Sequence, residues 1–324
     1  MSHTILRMGT AGSDAAAAME PASRPVRGIE TIVAFSDFSA HGTAAVRRAA
    51  QLAAQHGARL RVAHIVAPPP LIAAQAWRES AEAHERIEWA EAELLARHAG
   101  ALDRREGRLA MEVIVGSPVE EILRLSGEGD LLVLGARGTN AVKDLLVGST
   151  ATRLLTRCDR PMLVVKEHDC DPYRRVLVPL DLQDDGGTTL QATRALVPDA
   201  EVHVLHAYQF GHESMLRRVG VDPATLRRSR QDARAKVQSQ LVAVLARAER
   251  NAQRVHRHLK QGHPVRMILA AETRIRADLI VMSKRSRSKV EDALIGSTTK
   301  RVVLDAHGDV LVVPLLAGDA ARER

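Results

Sequence analysis

Apolar residues along this chain fall into short continuous runs, separated by longer stretches in which they recur every three or four positions. The runs are "TIVAFS" from Thr31, "RLRVAHIV" from Arg59, "LAMEVIVG" from Leu109, "DLLVLG" from Asp130 and "PMLVV" from Pro161. Runs this rich in Val, Ile and Leu predict strands buried on both faces. Between the first two, "SAHGTAAVRRAAQLAAQHG" puts Ala45, Ala49, Leu52 and Ala53 at helical spacing and stops at Gly57. "AWRESAEAHERIEWAEAELLARHAG" predicts one long amphipathic helix with Ile87, Ala90, Leu94 and Leu95 on one face. Further helices start at Pro118 and Ser149. Strands alternating with helices predict a parallel sheet covered on both sides.

The same plan then returns. "DLLVLGARG" at Asp130 matches "DLIVMSKRS" at Asp278, "GSTATRLL" at Gly148 matches "GSTTKRVV" at Gly296, and "PMLVV" at Pro161 matches "DVLVV" at Asp309, all 148 residues apart. Upstream, "GSPVEEIL" at Gly116 pairs with "GHPVRMIL" at Gly262, His64 in "VAHIV" with His206 in "VLHAY", and Asp37 in "TIVAFSD" with Asp181 in "RVLVPLD". Six matches in one order predict tandem domains. The expected division is a mobile leader over 1–27, domains over 28–166 and 173–315, and a tail over 316–324. The joint falls in the polar "KEHDCDPYR", and the second copy has a shorter first helix, "TTLQATRALVP".

Composition narrows the function classes. The 324 residues are 45% hydrophobic, 26% charged and only 2% aromatic, with a net charge of +7. So few aromatics argue against a base-stacking surface, and the basic residues are spread along the chain, so nucleic acid is not the expected partner. No run approaches the ~20 apolar residues of a membrane span. The first 28 residues lack the continuous apolar core of a secretory signal. Cys158 and Cys170 have neither metal nor redox spacing, which fits free thiols in the cytoplasm.

"GARGTNAVKDLLVGST", Gly135 to Thr150, carries the candidate chemistry. A glycine ending a strand allows a tight turn and close approach of a ligand to the backbone. Gly148-Ser149-Thr150 opens a helix whose free N–H groups and positive pole favour phosphate. Turn-making glycines and a capping Ser149 would give the same letters.

Gly135-x2-Gly138-x9-Gly148-Ser, with Asp37 ending the first strand and His64-Ile65 ending the second, resembles the ATP-binding signature of the universal stress protein family. The resemblance covers both copies. It implies two Rossmann-like domains, each a five-stranded parallel sheet of order 3-2-1-4-5 with helices on both faces, holding ATP with Mg2+ or Mn2+. In that order a crevice opens at the carboxyl ends of the first and fourth strands, where Asp37 and Gly135 sit.

Carried over residue by residue, the resemblance implies a nucleotide site of Ser36, Asp37, Ile65, Gly135, Arg137, Gly138, Gly148, Ser149 and Thr150. Arg137 could equally be a solvated loop residue, and Asp37 a helix cap. His64 and His206 read as strand-end packing residues. In the second copy Ser283 and Ser286 replace the glycines, where any positive φ would cost about 1 kcal/mol and a Cβ would crowd a phosphate. Asp181, Gly296 and Ser297 remain there, so nucleotide binding is expected to be weaker. Lys284, Arg285, Arg287 and Lys289 would attract phosphate or form a solvated basic loop.

His256, His258 and His263 lack a spaced carboxylate or thiol to complete a tetrahedral set, so no metal site is expected. No catalytic residue is expected either, since no motif places a general base beside the phosphates and Gly-x4-Gly-Lys-Ser/Thr is absent. The expectation is an ATP-binding stress-response protein, against a nucleotide-free interaction scaffold or a slow ATPase. The fifth strands are edges. Members of the resembled family commonly dimerise through them, so Met162–Val165 and Leu311–Val313 are expected to meet antiparallel as an intramolecular pseudo-dimer. Homodimerisation is compatible with this and not specified by it.

Overall fold

The computed structural model describes residues 28–70, 72, 74–100, 108–138, 148–166, 170–182, 186–210, 222–248, 255–285 and 296–315. The expected leader and tail lie outside them, as do Ser286, Arg287, Lys289 and the side chain of Arg285. The first half runs β1 (Thr31–Phe35), α1 (Ala40–His56), β2 (Arg59–Val66), α2 (Ala74–Arg78), α3 (Ala81–His98), β3 (Leu109–Val115), α4 (Pro118–Ser126), β4 (Leu131–Gly135), α5 (Ser149–Arg157) and β5 (Met162–Val165). The second runs β6 (Arg175–Pro179), α6 (Gly187–Leu196), β7 (Glu201–Tyr208), α7 (Pro223–Ala248), β8 (Val255–Gln261), α8 (Pro264–Ile275), β9 (Leu279–Arg285), α9 (Ser297–Asp305) and β10 (Asp309–Leu315).

The strands form one sheet of order β3-β2-β1-β4-β5-β10-β9-β6-β7-β8. Each half is parallel with the order expected from the sequence, and β5 meets β10 antiparallel, with Leu163 opposite Leu311 and Val164 opposite Val310. Successive strand residues point to opposite faces. Ile32, Ala34, Leu163 and Leu311 therefore join α1, α3, α6 and α7 in one core. Val33, Phe35, Val164 and Val310 join α4, α5, α8 and α9 in the other. Both cores run unbroken across the two halves.

Gly57 ends α1 at φ 62, the left-handed conformation that glycine adopts without steric cost. The long helix expected over 76–100 is instead two. Ser80 breaks it, its hydroxyl accepting from the Ala83 amide as the N-cap of α3. A serine that can satisfy a free amide competes with continuing the helix. Leu163 is fully buried. Leu163→Ala is expected to cost about 2–5 kcal/mol in denaturant unfolding. Adding Leu311→Ala should cost less than the sum of the single changes, because the two side chains face each other.

Candidate functional site

The carboxyl ends of β1 and β4 diverge into a cavity of about 500 Å³. All nine first-half residues expected at a nucleotide site line it: Ser36, Asp37, Ile65, Gly135, Arg137, Gly138, Gly148, Ser149 and Thr150. Asp181 follows β6, while Gly296 and Ser297 open α9. None of these three lines that cavity.

Asp37 is held in place rather than capping α1. Its Oδ1 accepts from the Ser39 hydroxyl at 2.6 Å and the Ser39 amide at 3.1 Å. Ser39 itself is the N-cap of α1, accepting from the Gly42 amide, and its hydroxyl also lies 3.1 Å from the Arg137 carbonyl. Ser39 therefore ties the end of β1 to the loop after β4. Sequence reasoning missed it, although a serine just before a helical run is a capping signal.

Gly135 and Gly138 are glycines for steric reasons within the protein. Neither adopts a positive φ, contrary to one reading of their serine replacements. A Cβ on Gly135 would lie 2.6 Å from the His41 backbone of α1, and one on Gly138 would lie 2.5 Å from Asp37 Oδ2. The glycines let α1 and Asp37 press against the end of β4. A Cβ on Gly148 would meet only ordinary contacts. Gly148 is the N-cap of α5 and supplies no side-chain acceptor. The first-turn amides at Ser149, Thr150 and Ala151 thus open onto the cavity without a capping side chain, a ready place for an anion.

Arg137 and Arg86 contribute positive charge to the lining, and Asp37 is the one carboxylate among its described residues. Trp89, 58% exposed, adds an aromatic wall. His64 donates from Nδ1 to the Ser36 carbonyl at 2.7 Å and stacks on Phe38, while His206 repeats this tie on Leu180 at 2.8 Å. Both histidines secure the backbone after a first strand. The Ser36 hydroxyl faces inward, 2.9 Å from Nε2 of buried His98. Burial, then the charges of Arg97 and Arg47, pushes the His98 pKa down to about 4, and burial also lowers that of His64.

The second half differs in kind. Lys284, read from the sequence as a phosphate-attracting or solvated residue, is only 5% exposed and bonds main-chain carbonyls of the first half. His256 and His258 do gain neighbours that the sequence did not show. Glu201 lies 2.8 Å from His256, and His203 lies 3.0 Å from His258. Even so, no group of three or more His, Cys, Asp or Glu among the described residues could hold a metal ion. Cys158 and Cys170 are free thiols, and no described helix is long and apolar enough to cross a membrane.

An open α/β sheet with its cleft at the point where the strand order reverses defines the class. The model of the Universal stress protein family matches residues 28–166 and 172–314, and the chain belongs to that family. It is 27% identical over 296 residues to a universal stress protein of Mycolicibacterium smegmatis, covering 86% of this chain and 94% of that one. It is 33% identical over 141 residues to one of Thermus aquaticus, covering 42% of this chain and 98% of that one. A crystal structure of a universal stress protein from Archaeoglobus fulgidus shares the fold, with TM-score 0.60 at 20% identity over 88% of this chain and 98% of that one.

A histidine whose pKa is lowered by folding binds a proton less readily when folded, so the unfolded chain gains protons first as pH falls. Stability is therefore expected to drop as pH is lowered from about 6.5 toward about 4. His98→Gln should flatten that profile in denaturant titrations, with His64, His203 and His258, whose pKa values burial also lowers, accounting for a residual slope.

Proposed function

We propose that this protein binds ATP in the first-half cavity and uses it as a regulatory ligand in a stress response. The observation that carries this reading is the convergence of nine motif residues, distant in sequence, on one cavity that ends at the uncapped N-terminus of α5. In this reading Asp37 and the Ile65 backbone meet base and ribose. Gly135, Arg137 and Gly138 border the ribose and phosphates, and the α5 amides with Ser149 and Thr150 take the outer phosphates, with Mg2+ or Mn2+ alongside them. The residues fit such a ligand: hydroxyls, amides and a guanidinium share the lining with apolar Val66, Ala67 and Ile122.

The ligand role is preferred to catalysis because Asp37, the one carboxylate among the described lining residues, is already engaged by Ser39. In the same reading the divisions 28–166 and 173–315 act as an intramolecular pseudo-dimer in the cytoplasm. Its Asp181, Gly296 and Ser297 bind nucleotide weakly or not at all.

Denaturing the purified protein and identifying released nucleotide tests the reading, together with calorimetry against ATP. Gly138→Val is expected to lose most of the affinity, because a Cβ there displaces the Asp37 carboxylate. ATP should also change the emission of Trp89, since the other tryptophan, Trp77, is buried. Trp89→Phe should remove that signal. A wild-type protein with neither bound nucleotide nor measurable affinity refutes the proposal.

A further inference from the structure

Two lysines, Lys284 buried and Lys166 half-buried, cross between the halves in opposite directions. Lys284, on β9, donates to the carbonyls of Leu155 at 3.0 Å, Thr156 at 3.4 Å and Cys158. Those carbonyls end α5, the helix whose other end opens the cavity. Lys166, just after β5, donates in turn to the carbonyls of Leu304 and Ala306 at the end of α9. The last carbonyls of a helix have no intrahelical donor and carry partial negative charge. A lysine ammonium placed there satisfies both needs.

The two lysines are not products of the duplication. In the 148-residue register Lys284 stands where the first half has Ala136, and Lys166 where the second has Pro314. Unrelated positions supply the same contact in both directions. In α5 the consequence is mechanical, because nine residues span only about 14 Å as a stiff rod. An anchor at one end fixes the amides at the other.

We infer that Lys284 is a positioning residue for the first-half site: the second half sets where α5, and hence its cavity-facing amides, lies. The crossed clamp stands on the contacts alone, while the ligand whose binding it tunes rests on the nucleotide reading above. The second half thus contributes a support to the other half's site.

Lys284→Met keeps an unbranched side chain and removes the donors. In hydrogen exchange on the full chain, the amides of Leu154–Cys158 are expected to exchange about tenfold faster, with α9 unaffected. Lys166→Met should speed exchange at the end of α9 and spare α5. By calorimetry, K284M is expected to bind ATP about fivefold more weakly and K166M within about twofold of wild type.

Unchanged α5 protection in K284M, or equal loss at α5 in K166M, overturns the clamp. Unchanged ATP affinity in K284M, with wild type binding normally, overturns the positioning role. A wild type that binds no ATP removes the nucleotide reading and that role together, and the exchange comparison still decides the clamp. Should K284M fail to fold, Lys284→Gln is expected to give intermediate losses in both readouts.

Discussion

The carboxylate of Asp309, with no exposed surface, is the point on which the two halves are pinned together. Its Oδ1 accepts the Lys166 amide at 2.8 Å, and its Oδ2 accepts the Tyr173 hydroxyl at 2.5 Å and faces Arg48 Nε at 3.3 Å. Arg48 comes from α1, lies over the Tyr173 ring at 4.2 Å and donates to the Asp171 carbonyl. One carboxylate therefore gathers the first half, the connecting segment and the first residue of β10. Charges this deeply buried persist only when geometry and hydrogen bonds offset their desolvation, and removing one partner costs about 3–5 kcal/mol. Burial and the adjacent carboxylate also hold the Tyr173 pKa well above its ordinary value, so the phenol stays a donor.

That node decides more than stability. It places the start of β10 beside the end of β5, the one alignment in which Leu163 meets Leu311 and both cores become continuous. Apolar strands alone would tolerate a slip, whereas a shift by one residue would exchange the faces of every side chain on β10. A buried carboxylate with three partners specifies the register. The seam in turn brings Lys284 within reach of α5 and Lys166 within reach of α9.

Much of this was legible in the sequence because its signals are periodic and local. The apolar runs marked the strands, Gly57 the end of α1, the repeat the two halves, and the family resemblance the order of each half-sheet. The first-half motif residues converge because strand order forces the ends of β1 and β4 together. What stayed hidden depends on partners far away in the chain. Gly135 reads as a ligand-facing glycine until α1 is seen 2.6 Å from its absent Cβ. Lys284 reads as a basic-loop residue because nothing local indicates three carbonyls supplied by residues 155–158. His98 looks like one more polar residue on an amphipathic helix, yet it is buried against Ser36. Ser80 was local, and an amphipathic pattern that continues through it simply outweighed its capping signal.

The asymmetry between the halves follows from the same sterics. In the first half α1 begins three residues after Asp37 and runs for 17 residues, pressing its first turn onto Gly135. In the second, α6 begins six residues after Asp181, behind Gly186 in the left-handed conformation, and runs for 10 residues. A helix that starts later and ends sooner no longer demands a glycine at the strand end, and Ser283 stands there. The next position holds Lys284, whose ammonium reaches away from its own half into the carbonyls of the other. Duplication supplied two sheets able to open a cleft. Only the half that keeps the close approach of its first helix retains the glycine-lined cleft, while the other gained the reach to brace it.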